Sequence, residues 1–239
     1  MTGPEVEKVN YRKPGFFGKF WELQKVMWRT NAGLVESHAW DSRPEIWPFL
    51  TRGINFWGKD HRQIYLIGNP FIWWSSTATI AVYVIFKVIA LLRWQRGYSD
   101  YRNGNWRRFD YEVSVAILGW ALHYFPFFLM QRQLFLHHYF PALYFAIAAL
   151  CQTFDFATHR IRAFGFSGKP VLGWIAAVVF LALSAAVFGL FQPLTYGNAW
   201  TKAQCSRVTV LSGWDWDCHN LFDTVSYISQ TWSPPLTFI

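Results

Sequence analysis

The run VLGWIAAVVFLALSAAVFGLF, residues 171–191, contains no charged residue and no proline. A bilayer hydrocarbon core of about 30 Å takes about 20 helical residues to cross, and this run is that long. Three further apolar stretches precede it. Residues 71–92 are broken only by Lys87, near enough to the end for its ammonium to snorkel to the interface. Residues 113–130 hold His123 and Pro126. The third stretch covers about 134–154 and follows the second after only a few residues, so the two predict a tight helical hairpin. The reading is an all-α membrane protein: four transmembrane helices over 71–191, between a flank at 1–70 and a tail at 192–239.

Composition agrees. The 239 residues are 53% hydrophobic, 21% aromatic and 15% charged, whereas soluble domains carry about 25% charged residues. A net charge of +8 raises the question of nucleic acid. The basic residues mostly lie beside apolar spans, so no nucleic-acid partner is expected and membrane lipid is.

Charge also orients the spans. The loop 93–112 carries Arg93, Arg96, Arg102, Arg107 and Arg108, and the loop 155–170 carries Arg160, Arg162 and Lys169. The connection 131–133 holds only Arg132. The positive-inside rule places both basic loops in the cytoplasm and both long flanks on the lumenal or extracellular side. The ten Lys and Arg of residues 1–70 look contrary, but long segments translocate largely regardless of charge. The polar stretch 1–10 has no apolar core and does not read as a cleavable signal peptide. If the first flank is extracytoplasmic, that points to a fragment of a longer protein.

Within the first flank, residues 15–30 place Phe16, Phe20, Leu23 and Met27 on one helical face, with Trp21 and Trp28 beside it. This is an amphipathic helix, suited either to the membrane surface or to packing on its own domain. Residues 31–70 lack long periodicity and read as an ordered loop, with Trp40, Trp47 and Trp57 suited to an interfacial belt. Cys151, in an apolar stretch, reads as a small buried hydrophobe. Cys205 and Cys218 in the tail are a disulfide candidate if the tail sits in an oxidising lumen.

No nucleotide-binding glycine motif, H-E-x-x-H or C-x-x-C is present, which argues against a soluble-type hydrolase or NTPase. Chemistry concentrates at the tip of the central hairpin, where Arg132 and Gln133 are followed by His137, His138 and Tyr139. An arginine fork matches phosphate oxygens, and two imidazoles and a phenol add donors. A polyisoprenyl phosphate places its head group at this depth. The competing reading is interfacial anchoring by amphipathic side chains. A metal site is not expected, because adjacent helical residues diverge by about 100° and no carboxylate is near. A second cluster, Glu36, His38, Asp41 and Arg43, suits acid–base work, or simply a salt-bridged turn held by Pro44 and Pro48.

Three groups of residues carry a family resemblance. They are Asn31-Ala32-Gly33-Leu34 to Asp41-Ser42-Arg43-Pro44 with Trp47-Pro48; Gly68-Asn69-Pro70 leading into Trp73-Trp74; and Leu136-His137-His138-Tyr139-Phe140-Pro141-Ala142-Leu143-Tyr144. Over nearly all of residues 15–239 the chain resembles the C-terminal part of the eukaryotic protein O-mannosyltransferases. The runs Ile54 to Tyr65 and Leu211 to Cys218 look most like the second fungal subfamily.

The resemblance implies a GT-C glycosyltransferase of the endoplasmic reticulum membrane. Its members move mannose from dolichyl-phosphate mannose to Ser or Thr of secretory proteins, with no further cofactor. It implies Arg132 at the donor phosphate, His137, His138 and Tyr139 shaping the head-group pocket, and His38 and Arg43 on the same lumenal face. It also implies a heterodimer with another family member. The family's acidic catalytic motif lies in a first lumenal loop, and a MIR β-trefoil domain precedes its last four helices. These 239 residues match neither, so the expectation is a module inactive by itself, with no catalytic base to name. A non-catalytic membrane scaffold is the main alternative. A small transporter is another, though only His123 suits it among residues deep in the spans.

Overall fold

The computed structural model describes residues 13–99, 104–160, 170–219, 221 and 223, with the side chains of 159, 160 and 170 excepted. The polar stretch 1–10 and the loop residues Arg102, Arg162 and Lys169 lie outside the described residues. The described chain forms two compact units. One takes in the chain up to Ser37 together with Gln131–Gln133; the other holds the remainder.

In the first unit, α1 (Phe16–Gly33) buries no residue. Its apolar side chains stand outward, with Phe16 75% and Trp28 79% exposed.

The second unit contains four helices long and apolar enough to cross a membrane. Helix α2 (Pro70–Gln95) starts where Asn69 caps it. The Asn69 side-chain oxygen accepts from the amides of Phe71 and Ile72 at 3.1 and 3.4 Å, and Pro70 supplies a first-turn φ without wasting an amide. Asn69 also donates from Nδ2 to the Ser184 carbonyl at 2.9 Å, which ties α2 to α5 (Pro170–Tyr196). Gly97, at φ 84°, ends α2 in the left-handed conformation. The Gly97 amide donates to the Trp94 carbonyl and the Tyr98 amide to the Arg93 carbonyl, which satisfies carbonyls of the last turn.

Helix α3 (Gly104–Tyr124) runs on through a 3-10 turn, Phe125–Leu129, opened by Pro126. Helix α4 (Phe140–Asp155) follows a second 3-10 turn, Leu136–Tyr139. Ala142, Ala146 and Ala149 of α4 are fully buried. A Cβ at Gly119 of α3 would collide with the Phe145 ring. Small residues thus let these helices approach closely where lipid offers no hydrophobic drive.

Three sequence expectations change here. Helix α3 begins at Gly104, well before the apolar stretch expected at 113, so Arg107 and Arg108 ride on its first turns rather than in a loop. Lys87 is paired rather than alone in its span. Its ammonium contacts both carboxylate oxygens of Asp110 at 2.8 Å, and Tyr83 donates to the same carboxylate at 2.8 Å. A charge inside a span is costly alone, and pairing offsets it. Cys151 is exposed on the outer side of α4 rather than buried.

Two apolar clusters hold the unit. The smaller joins Tyr83, Phe109, Val113, Ala116, Ala149 and Phe156 of α2, α3 and the end of α4. The larger is rich in aromatic rings and lies at the opposite ends of the helices. It gathers Trp47 and Leu50 of the flank, Trp73, Tyr139 and Phe191 at helix ends, and Trp200, Trp214 and Trp216 of the tail.

The flank is more than a loop. Strands β1 (Ile54–Lys59) and β2 (Arg62–Leu66) form an antiparallel hairpin, with a register shift between Asn55 and Trp57. Its two-residue turn, Asp60-His61, has both residues at positive φ. Such turns are normally marked by Asn-Gly or Asp-Gly, and the sequence offers no such signal here. In the tail, α6 (Lys202–Val208) opens with a Thr201/Gln204 capping box. Cys205 and Cys218 are joined by a disulfide with Cα atoms 5.7 Å apart.

Candidate functional site

Pro141 in the first turn of α4 fixes where the regular helix begins. The four residues before that helix, Leu136–Tyr139, wind tightly as a 3-10 turn. Leu136 and Tyr139 point inward and are 1% and 0% exposed. His137 is left exposed and His138 half-buried.

The two imidazoles stack on each other, with centroids 4.5 Å apart and planes 24° apart. Phe135 stacks against both. The His138 ring also lies nearly parallel to the Trp47 indole, at 12° and 6.4 Å. His138 Nδ1 sits 3.0 Å from both the amide and the carbonyl of Phe135. Nδ1 is thus engaged within its own turn.

Trp47 is held firmly. It is fully buried and donates from Nε1 to Ser42 Oγ at 2.9 Å. The carbonyls of Trp47, Pro48, Phe49 and Leu50 accept in turn from Trp73 Nε1, Thr77 Oγ1, Trp74 Nε1 and Trp214 Nε1, at 2.7 to 2.9 Å. These four bonds support Leu50 at φ 54°, a left-handed conformation that side chains rarely adopt.

Tyr139 is no head-group donor at the surface. Its ring packs against Trp47, Trp73 and Tyr124, and its hydroxyl accepts from Trp120 Nε1 at 3.0 Å. It is a core residue because the 3-10 winding turns it inward.

His38 does come near the histidine turn, with its ring edge-on to Phe135 at 5.4 Å. His38 and Asp41 close a local turn. Asp41 Oδ2 accepts from the His38 amide at 3.2 Å, and His38 Nδ1 accepts from the Trp40 amide at 3.1 Å. The Ser42 amide donates to the Leu134 carbonyl at 2.8 Å, which pins this loop to the histidine turn. Arg43 follows immediately and is exposed.

Arg132 belongs to the first compact unit. Its Nη1 donates to Asn31 Oδ1 and its Nε to the Gln133 carbonyl at 3.2 Å. Gln133 donates from its amide to the Leu34 carbonyl at 2.8 Å and from Nε2 to the Glu36 carbonyl. The guanidinium is half-buried on neutral acceptors. Among the described residues no carboxylate forms an ion pair with it.

Sequence reasoning missed the pairing of hairpin and tail. Asp215 accepts from the Tyr65 hydroxyl at 2.6 Å and from Arg52 Nη2 at 3.1 Å, and Arg52 lies over the Trp40 ring. Burial, and then the hydrogen bond and charge of Asp215, hold the Tyr65 phenol above its ordinary value of 10.0. No spacing rule reaches across 150 residues.

These features define a multi-pass membrane protein, with an imidazole pair set where a spanning helix leaves the aromatic core. Residues 16–214 match the family described as the C-terminal four TMM region of protein-O-mannosyltransferase. The chain belongs to the protein O-mannosyltransferase family.

It is 40% identical over 228 residues to dolichyl-phosphate-mannose–protein mannosyltransferase 1 of Saccharomyces cerevisiae, covering 95% of this chain and 27% of that protein. It is 30% identical to mannosyltransferase 2 of Candida albicans, over 88% of this chain and 29% of that protein. Identity is thus higher to the relative numbered 1 than to the one numbered 2. The solved S. cerevisiae protein O-mannosyltransferase Pmt1-Pmt2 complex bound to the sugar donor matches with a TM-score of 0.85 at 38% identity, over 96% of this chain and 31% of that one. The chain therefore spans somewhat more than a quarter of the length of these relatives.

Proposed function

We propose that this chain is the C-terminal membrane module of an enzyme that transfers mannose from dolichyl-phosphate mannose to Ser or Thr of secretory proteins. The enzyme works in the endoplasmic reticulum membrane, with both long flanks in the lumen. The observation that carries the reading is the His137–His138 stack, held on Trp47 where the third span leaves the aromatic core.

A lipid-linked phosphate has its tail in the bilayer and its head group at such a helix end. Imidazoles at that depth suit phosphate and sugar oxygens. The family resemblance assigns Arg132, oriented by Asn31 within the first unit, a charge-assisted bond to the donor phosphate. His38 and Arg43 bracket a loop pinned to the histidine turn, which supports assigning them to the same lumenal face. The arginines of the opposite helix ends, Arg93, Arg96, Arg107 and Arg108, support a cytoplasmic placement there. The similar S. cerevisiae structure is a Pmt1-Pmt2 complex bound to the sugar donor, which supports a family member as partner.

The test uses a full-length enzyme carrying this module, with donor titrated in microsomes at fixed acceptor peptide and matched protein level. Losing a charge-assisted bond costs about 1.5–3 kcal/mol, so Arg132→Ala is expected to weaken donor use about ten-fold or more. Arg132→Lys recovers only part of this, because an ammonium lacks the planar fork. Unchanged donor dependence in Arg132→Ala would leave this arginine an interfacial anchor.

A further inference from the structure

The hairpin turn holds two residues in a conformation that glycine adopts without strain. Asp60 and His61 stand at φ 49° and 60°. Non-glycine residues persist there only where the surroundings over-determine them, and such positions cluster at binding sites. The turn closes one end of a cleft of about 580 Å³ between the hairpin and the tail.

The cleft's walls include Trp40, Asn55, Arg62, Gln63, Asp215 and Asp217. Two carboxylates, a guanidinium, two planar amides and an indole therefore converge on one space. With Lys59 and Asp60 also in the lining, three carboxylates face two cations, so one negative charge is in excess and the cleft exerts no pull on a phosphate or a polyacid. What the inventory matches is a neutral ligand whose closely spaced groups both donate and accept, with an apolar face for the indole. A pyranose ring has those properties, since each hydroxyl is at once donor and acceptor.

The walls are also fixed in advance. Asp215 is held by the Tyr65 hydroxyl and by Arg52. The Asp217 amide donates to Gln63 Oε1 at 3.3 Å, and Asp217 Oδ1 accepts from the His219 amide at 2.8 Å. The disulfide at Cys218 anchors the neighbouring backbone. Asn55 is different: its Oδ1 is buried without a hydrogen-bond partner. Unpaired buried acceptors are rare and call for an explanation. The outer torsion of an Asn side chain is soft, so this amide can turn to meet a ligand hydroxyl.

We propose that this cleft is a carbohydrate-binding subsite that takes a neutral hexopyranose, as it would stand on a glycosylated polypeptide. None of its residues belongs to the proposed donor site, so the two readings fail separately.

The test places the 239-residue chain in lipid nanodiscs, free of sugar-based detergent, and measures saturation-transfer NMR with methyl α-mannopyranoside. Transfer to the ring protons is expected, saturating in the millimolar range. It should fall about five-fold or more in Asn55→Ala and in Asp217→Ala, the loss of one net hydrogen bond. Folding is verified by near-ultraviolet dichroism and by retention of the Cys205–Cys218 bond. Monodeoxy methyl mannosides test the same hydroxyl contacts on the unaltered protein, should either variant misfold; at least one is expected to lose transfer. Three outcomes would overturn the proposal. One is no transfer from the unaltered chain. Another is equal transfer in the folded variants and with every deoxy analogue. The last is binding of a Ser/Thr peptide with no response to the sugar.

Discussion

Lys87 of α2 and Asp110 of α3 pair inside the helix bundle, and each holds the other's charge away from water. The ammonium lies 2.8 Å from both carboxylate oxygens, with side chains 34% and 20% exposed. Removing one member of a fully buried pair costs about 3–5 kcal/mol, because the other is left uncompensated. Partial exposure lowers this to about 2–3 kcal/mol here. Tyr83 loses little when the carboxylate goes, since its hydroxyl also reaches the Asp110 carbonyl at 3.3 Å.

Lys87→Met and Asp110→Asn should therefore each destabilise by about 2–3 kcal/mol, near a hundred-fold in the unfolding equilibrium. The double variant should cost about 1 kcal/mol or less, because no orphan charge remains. The coupling energy should exceed about 1.5 kcal/mol. The assay is reversible denaturation by dodecyl sulfate in mixed micelles, followed by tryptophan fluorescence for all four proteins. Single effects that add in the double variant, with coupling under about 0.5 kcal/mol, would refute the pairing and restore independent snorkelling.

Three further outcomes are expected. Reducing Cys205–Cys218, which closes a separation of 13 residues, should cost about 3 kcal/mol in denaturant titrations. Equal midpoints with and without reductant would mean that the tail is held by its tryptophans alone. Tyr65 is held above its ordinary value of 10.0 by burial and then by Asp215, so its contribution is fully present below pH 10 and is lost as pH rises through the folded value. Melting from about pH 9 to 11 should thus fall more steeply in the wild type than in Tyr65→Phe, and parallel curves would count against the buried phenol. In a full-length context, glycosylation sequons inserted near Gly197 should be used in microsomes and those near Gly104 should not; use at Gly104 would invert the topology.

Much of the candidate site was visible as residues but not as geometry. The sequence places His137, His138 and Tyr139 side by side, and nothing in their order says that Tyr139 turns inward while the histidines stack outward. That follows from the 3-10 winding forced ahead of Pro141. Arg132 is conspicuous as the only basic residue at the hairpin tip, but its engagement with Asn31 joins positions 101 residues apart. Trp47 read as an interfacial ring, whereas it is a buried platform under His138.

The four spans and the family are legible along the chain, because a bilayer imposes a length and an apolarity that can be read in one dimension. The capped start of α2 belongs with these, since Asn69-Pro70 acts on its own neighbours. The Lys87–Asp110 pair, the aromatic core and the cleft between hairpin and tail come into being only on folding. Each of these depends on partners brought together from 23 to 164 residues away. A hairpin whose turn lacks glycine gives little local signal. The β1–β2 register and its strained turn were therefore set by packing against Trp214, Trp216 and the end of α5, not by propensity.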